Sequence, residues 1–222
     1  KHLPVDNMGL KNPLKLEGIT QGEELFCVFD GMGGESAGEN AAYIASEVFA
    51  EELRSIEELA ISAKEFMCDA CKKSNEAICN YSKQNQFTAT GTTVAAVLLS
   101  GDEIVSCNIG DSKIFVVRDR RMLQISEDHT DERIMSSIGV QKKYLGIPNT
   151  VMAIDPYITK GELKSGDCYI ICSDGVTDAV SLNDIYETVE NNDSKEAVLQ
   201  LLYQVNKNNG SDNATVIVIK ID

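Results

Sequence analysis

Apolar residues follow two rhythms along this chain of 222 residues. Four short runs, 92–99 (TTVAAVLL), 103–109 (EIVSCNI), 113–118 (KIFVVR) and 121–126 (RMLQIS), are rich in β-branched residues and are separated by Gly-Asp, Gly-Asp-Ser and Asp-Arg turns. Branched side chains suit a pleated surface, so the four runs predict an antiparallel meander. The stretches 24–29, 151–154, 168–173 and the closing ATVIVIKI at 214–221 predict further strands.

Elsewhere the apolar positions recur at helical spacing. Ala41, Ile44, Ala45, Val48, Phe49 and Leu53 mark one face of a helix over residues 37–53, with Ser36 and Glu39 as its capping box. Phe66, Met67, Ala70, Cys71 and Ile78 do the same for residues 63–81, which open on Ser62 and Glu65. Two further helices are expected at 182–190 and 194–206. Residues 1–22 carry little periodicity and read as a loop or a worn edge element. Residues 127–149 are polar and broken by Gly139, Gly146 and Pro148, with room for a short helix around 131–138. Strands group with strands and helices with helices, so the pattern predicts an α+β fold with helices covering sheets rather than regular βαβ alternation. No repeat or linker divides the chain, and one domain over residues 1–222 is the expectation.

Composition narrows the function. Hydrophobic residues at 43 % and charged residues at 25 % are globular values, outside the disordered regime. The 35 Asp and Glu against 20 Lys and Arg give a formal net charge of −15, which argues against a nucleic-acid binder because phosphate contacts need a cationic surface. No run approaches the roughly 20 apolar residues of a membrane span, and the start KHLPVDNMGL has no apolar stretch of the secretory kind. Seven cysteines make an odd number and lie mostly within apolar segments, which favours buried thiols in a reducing, cytoplasmic compartment over a disulfide framework.

The chemistry gathers at strand ends. LFCVF leads to Asp30, VSCNIG to Asp111, CYIICS to Asp174, and Asp212 immediately precedes NATVIVI. Strands of one core can bring such ends to a common rim. Four carboxylates there would repel unless protonated or neutralised, and an all-oxygen cluster suits Mg²⁺ or Mn²⁺. Asp-Gly and Gly-Asp-Ser are also ordinary turn sequences, so a purely structural reading stands beside the metal reading. Gly31, Gly33 and Gly34 allow close backbone approach, so that a main-chain carbonyl could face an ion. Met32 between them fits a hydrophobic plug, since its thioether is soft. Cys68, Cys71 and Cys79 lie on one helical face without a fourth ligand nearby, which favours core packing over zinc. His129 is expected to cap or brace a turn, and His2 has no useful spacing. Phosphate-loop, nucleophile-elbow and dinucleotide-loop motifs are absent from the sequence.

Taken in order, Asp30-Gly31-Met32-Gly33-Gly34, Gly38-Glu39, Gly91-Thr92-Thr93, Gly110-Asp111-Ser112, Asp128-His129, Ser173-Asp174-Gly175 with Asp178, and Asp212-Asn213-Ala214-Thr215-Val216 resemble the motifs of a known family. It is the metal-dependent protein serine/threonine phosphatases, the type 2C class, in compact bacterial form, and the likeness runs from residue 25 to residue 221. The resemblance implies a four-layer αββα sandwich with two central antiparallel sheets flanked by helices. It implies two Mn²⁺ or Mg²⁺ ions on the rim, with Asp30 bridging both, the Gly31 carbonyl on one, and Asp174 and Asp212 on the other. Asp111, with Asp174, matches positions that hold a third, weaker ion. Asp30, Asp174 and Asp212 would then act in catalysis through a metal-activated water, with no protein nucleophile. Thr92 and Thr93 would support the sheet beside the site, and residues 127–149 would form the variable flap. The implied activity is hydrolysis of phosphoserine and phosphothreonine in proteins, opposing a cytoplasmic Ser/Thr kinase, by a monomer.

Two departures qualify the likeness. The family usually opens on a strand with an Arg followed by Asn-Glu-Asp or Asn-Gln-Asp; Asp6-Asn7 has the wrong order and no such Arg precedes it. Residues 9–22 resemble the segment that comes after that strand in the family, so a domain without its usual first strand is the expectation. Met32 stands where eukaryotic relatives have a histidine proposed as general acid, and bacterial members commonly have Met. Two rivals remain: a catalytically impaired phosphatase-like module that binds phosphoprotein or kinase, and an acidic structural domain whose Asp-Gly pairs are turns.

Overall fold

The computed structural model describes residues 24–32, 37–59, 61–87, 90–129 and 143–222. Its first sheet runs β1 (Glu24–Val28), β4 (Val94–Ser100), β5 (Glu103–Ile109), β8 (Tyr157–Glu162), antiparallel throughout. The second runs β10 (Val216–Lys220), β9 (Cys168–Cys172), β6 (Lys113–Arg118), β7 (Arg121–Gln124), also antiparallel. A two-residue ribbon pairs β2 (Gly31–Met32) with β3 (Gly91–Thr92).

Strand alternation decides the layers. On β4, Val94, Ala96 and Leu98 face α1 (Gly38–Leu59) and α2 (Ala63–Gln84), where they meet Ala45, Phe49, Phe66, Met67 and Ile78. The intervening Ala95, Val97 and Leu99 face the second sheet and pack on Ile114, Val116, Tyr169 and Ile171. The far face of that sheet, with Phe115, Val117, Ile170 and Cys172, packs on α3 (Asp174–Thr177), α4 (Leu182–Asn191) and α5 (Ser194–Lys207) through Val176, Ile185, Val189 and Leu201. The result is helix, sheet, sheet, helix, the four-layer α+β sandwich that the resemblance implies. Phe49 of α1 joins α2 to the segment that follows β1, its ring meeting Phe29 and Phe66 edge-on at 5.2 and 6.2 Å. The Ser62–Glu65 capping box forms as the sequence predicts, with Glu65 N–H donating to Ser62 Oγ at 3.2 Å and Ser62 N–H to Glu65 Oε2 at 3.0 Å.

The structure corrects several expectations. Residues 92–126 are not one meander: β4 and β5 belong to the first sheet, β6 and β7 to the second. The break falls at Gly110, whose φ of +101° lets the chain cross between sheets. Residues 151–154 form no strand, because the N–H groups of Val151 and Met152 turn back onto the Pro148 carbonyl at 2.8 and 3.1 Å. The strand lies instead at β8, a mostly exposed edge whose sequence YITKGE hides it. The first helix runs on to Leu59. Expectations for residues 1–22, for Ser36 as a cap and for a helix at 131–138 lie outside the described residues. All seven cysteines are free thiols. No described helix is long and apolar enough to cross a membrane.

Candidate metal centre

Register brings the aspartates to one rim. Cys172 of β9 pairs with Val216 of β10 and with Lys113 of β6, so Asp174, Asp212 and Asp111 all lie just beyond the same end of the second sheet. In the first sheet Val28 pairs with Ala95 and Val94 with Ile109, so the chain leaves β1 for Asp30 and leaves β5 for Asp111 at that same end.

Main-chain anchors hold these ends. Asp30 N–H donates to Thr93 Oγ1 at 3.1 Å, and Thr93 N–H donates to the Asp30 carbonyl at 2.9 Å. Thr93 Oγ1 also lies 2.7 Å from Ser112 Oγ, beside Asp111. Ser173 N–H donates to the Thr215 carbonyl and Thr215 N–H to Ser173 Oγ, each at 3.1 Å, which ties the approach to Asp174 to the exit from Asp212. Gly175 must be glycine here, since a Cβ would lie 2.2 Å from the Asn213 carbonyl oxygen. Gly31 is pressed on Gly38 in the same way, a Cβ falling 2.2 Å from the Gly38 oxygen, so the first residue of α1 passes directly over the residue after Asp30.

The electrostatics arise from this crowding. The Asp30 carboxyl is pushed up to about 7, first by burial, then by the charge of Asp174 and a side-chain hydrogen bond with it, then by Asp212 and Asp111. Two carboxyls joined by a hydrogen bond hold a proton between them, and a divalent cation can take that proton's place. Asp111 itself is nearly buried, at 9 % exposure. Among the described residues no three His, Cys, Asp or Glu side chains close to ligand spacing. The donors are all oxygen, so the set fits a hard divalent ion and not a thiophilic one.

The alternative zinc reading finds no support. Cys71 turns into the core, its Sγ 3.6 Å from Cys107 Sγ, while Cys68 and Cys79 are only partly buried. The hydrogen bond with Cys71 and then burial hold the Cys107 thiol well above its ordinary value, so it stays protonated. Thr92 exchanges both main-chain hydrogen bonds with Leu145, at 3.0 and 2.9 Å, and so ties the site's ribbon to the chain after residue 143. His129 does brace a turn, as its sequence setting suggests. The sequence alone does not single out Ser112, Ser173 and Thr215 as separate anchors. Each stands directly beside a motif aspartate or at a strand entry, the one signal that marks them.

Comparison with known proteins gives a consistent picture. A family model described as Protein phosphatase 2C matches residues 16–214. The serine/threonine protein phosphatase PstP of Mycobacterium tuberculosis is 28 % identical over 228 residues, covering 96 % of this chain and 43 % of the relative. The chain therefore spans less than half the length of that curated relative. The serine/threonine phosphatase stp of Listeria monocytogenes is 23 % identical, covering 90 % of this chain and 85 % of its own. The crystal structure of the catalytic domain of PstP in complex with two manganese ions superposes with a TM-score of 0.76 at 25 % identity, covering 93 % of this chain and 94 % of that one.

Proposed function

The chain belongs to the protein phosphatase 2C family, and we propose that it hydrolyses phosphoserine and phosphothreonine in proteins with Mn²⁺ or Mg²⁺ held by its strand-end aspartates. The observation that carries the reading is the strand register that brings Asp30, Asp111, Asp174 and Asp212 to one rim, where burial and then the other three aspartates push the Asp30 carboxyl up to about 7. Separate structural turns have no need to share one rim; a cation site does. When bound, the ions supply an acidified water and offset charge on the phosphoryl oxygens.

The residues divide the work of holding that site. Asp30 would help to hold both ions, with the Gly31 carbonyl on one and Asp174 and Asp212 on the other. Asp111, with Asp174, would hold a third and weaker ion. Thr93 fixes the Asp30 backbone through both of its main-chain partners, and Ser112 fixes Thr93 in turn. Gly175 lets the Asp174 and Asp212 segments touch. The two manganese ions of the PstP structure support this assignment by likeness. The reading extends to a single domain over residues 1–222, acting as a monomer on the products of a Ser/Thr kinase in the cytoplasm.

The test is release of phosphate from a phosphothreonine peptide and from p-nitrophenyl phosphate. Turnover with Mn²⁺ and none after chelation is the expected result. No turnover of either substrate with Mn²⁺ contradicts hydrolysis; if Mn²⁺ still binds, a phosphoprotein-binding module takes its place.

A further inference from the structure

The turn that carries Asp111 is gripped from outside by two consecutive residues that the proposed hydrolysis does not use. His129 donates its main-chain N–H to the Gly110 carbonyl at 3.0 Å, and its ring Nδ1 accepts the Gly110 N–H at 3.2 Å. Asp128 binds Lys113 through its carboxylate, and Lys113 Nζ reaches the Asp111 carbonyl at 3.3 Å. The other Asp128 oxygen accepts from Gln124 Nε2 at 2.7 Å, which fixes the carboxylate itself. Three main-chain groups of Gly110 and Asp111 are thus held by this pair, two directly and one through Lys113.

The turn needs such support. Gly110 sits at φ +101° between two sheets, where neither ladder continues. A Cβ there would lie 2.7 Å from Thr93 Cγ2, so no larger residue could stiffen the position. A glycine in this conformation has little local preference, and outside hydrogen bonds decide where the next side chain points. The direction matters because Asp111 leaves β5 at the same sheet end as Asp30, Asp174 and Asp212. The His129 ring is suited to accept: a backbone N–H can only donate to it, and burial followed by the Lys143 charge holds the imidazole below its ordinary value and so neutral.

We propose that Asp128 and His129 are a positioning pair that fixes the Gly110–Asp111 turn and thereby aims the Asp111 carboxyl at the rim. The proposal rests on the reading of the rim as a cation site, and the test separates the two. His129→Asn places an oxygen where Nδ1 stands, whereas His129→Gln moves the acceptor one bond outward. In the metal-free chain, Gly110 amide exchange should accelerate about tenfold in His129→Gln and stay near the wild-type rate in His129→Asn. Amides of β9, which His129 does not touch, should be unchanged in both. Calorimetry with Mn²⁺ alone should then show the weakest binding step weakened about tenfold in His129→Gln and lost in Asp111→Asn, with tighter binding intact and His129→Asn restored. Unchanged Gly110 exchange in His129→Gln overturns the pair. So does a weakest step that responds to Asp111→Asn but not to His129→Gln, and that outcome leaves the cation site standing. No Mn²⁺ uptake by the wild type overturns both.

Discussion

Thr93 and Ser112 meet hydroxyl to hydroxyl at 2.7 Å, and this contact joins the two sheets at the rim where the aspartates lie. Thr93 enters β4 of the first sheet and Ser112 enters β6 of the second, and both are buried, at 4 % and 0 % exposure. The same Thr93 oxygen accepts the Asp30 N–H. Thr93→Val keeps the shape and removes the oxygen, leaving the Asp30 N–H and the Ser112 hydroxyl without it. It should cost about 2 kcal/mol in a denaturant titration and weaken Mn²⁺ binding measured by calorimetry, since Asp30 loses one of its two main-chain anchors.

Gly175 offers a steric version of the same question. Gly175→Ala drives a methyl to 2.2 Å from the Asn213 oxygen, so the Asp174 and Asp212 segments must separate. Mn²⁺ affinity and melting temperature should both fall. Gly161→Ala on β8 is the matched control. Its nearest neighbour would be Ile104 Cγ2 at 3.5 Å, an ordinary contact, and its effect should stay within about 0.5 kcal/mol.

The opposite end of β9 tests stability without touching the centre. Asp167, 2 % exposed, accepts from Arg118 Nε at 2.7 Å and Nη2 at 2.5 Å, from the Lys164 N–H at 3.0 Å and from the Tyr169 hydroxyl at 3.0 Å. Burial pushes this carboxyl up, but the donors, led by Arg118, leave it below its ordinary value. A depressed value means stability that is present at neutral pH and lost as pH falls through the folded value. Asp167→Asn should cost about 2 kcal/mol at pH 7, less than a fully buried pair because the Arg118 side chain is 31 % exposed. The gap between variant and wild type in urea titrations should close as pH drops below about 4. Mn²⁺ affinity at pH 7 should not change.

The strands are legible in the sequence where apolar, β-branched runs are continuous, as at Val94–Ser100 and Val216–Lys220, and Asp30, Asp111, Asp174 and Asp212 stand at the ends of such runs. Which sheet each strand joins was not legible, because the crossing at Gly110 depends on partners at Thr93 and His129 that are distant in sequence. Strand β8 was hidden for a different reason: as an exposed edge it carries Lys160, Gly161 and Glu162, with no buried face to impose a pattern. Residues 151–154 misled by being apolar, since Ile154 is buried at the helix-facing core from a loop. The two-residue ribbon β2–β3 is too short for any periodicity, and its glycines answer to other neighbours, Gly31 to Gly38 and Gly91 to Tyr144 and Leu145, which are distant in sequence.

Calorimetric titration of Mn²⁺ into the wild-type chain, Asp30→Asn, Asp174→Asn and Asp119→Asn tests the central claim most directly. Asp119 lies in the β6–β7 hairpin turn at φ +51°, a conformation asparagine accepts, and it is remote from the rim. The wild type and Asp119→Asn should bind with the same affinity, and Asp30→Asn and Asp174→Asn should lose at least about a hundredfold, as expected when a charged ligand to a buried cation is removed. Equal binding by all four proteins, or binding by none, would contradict the assignment of the strand-end aspartates as a metal centre.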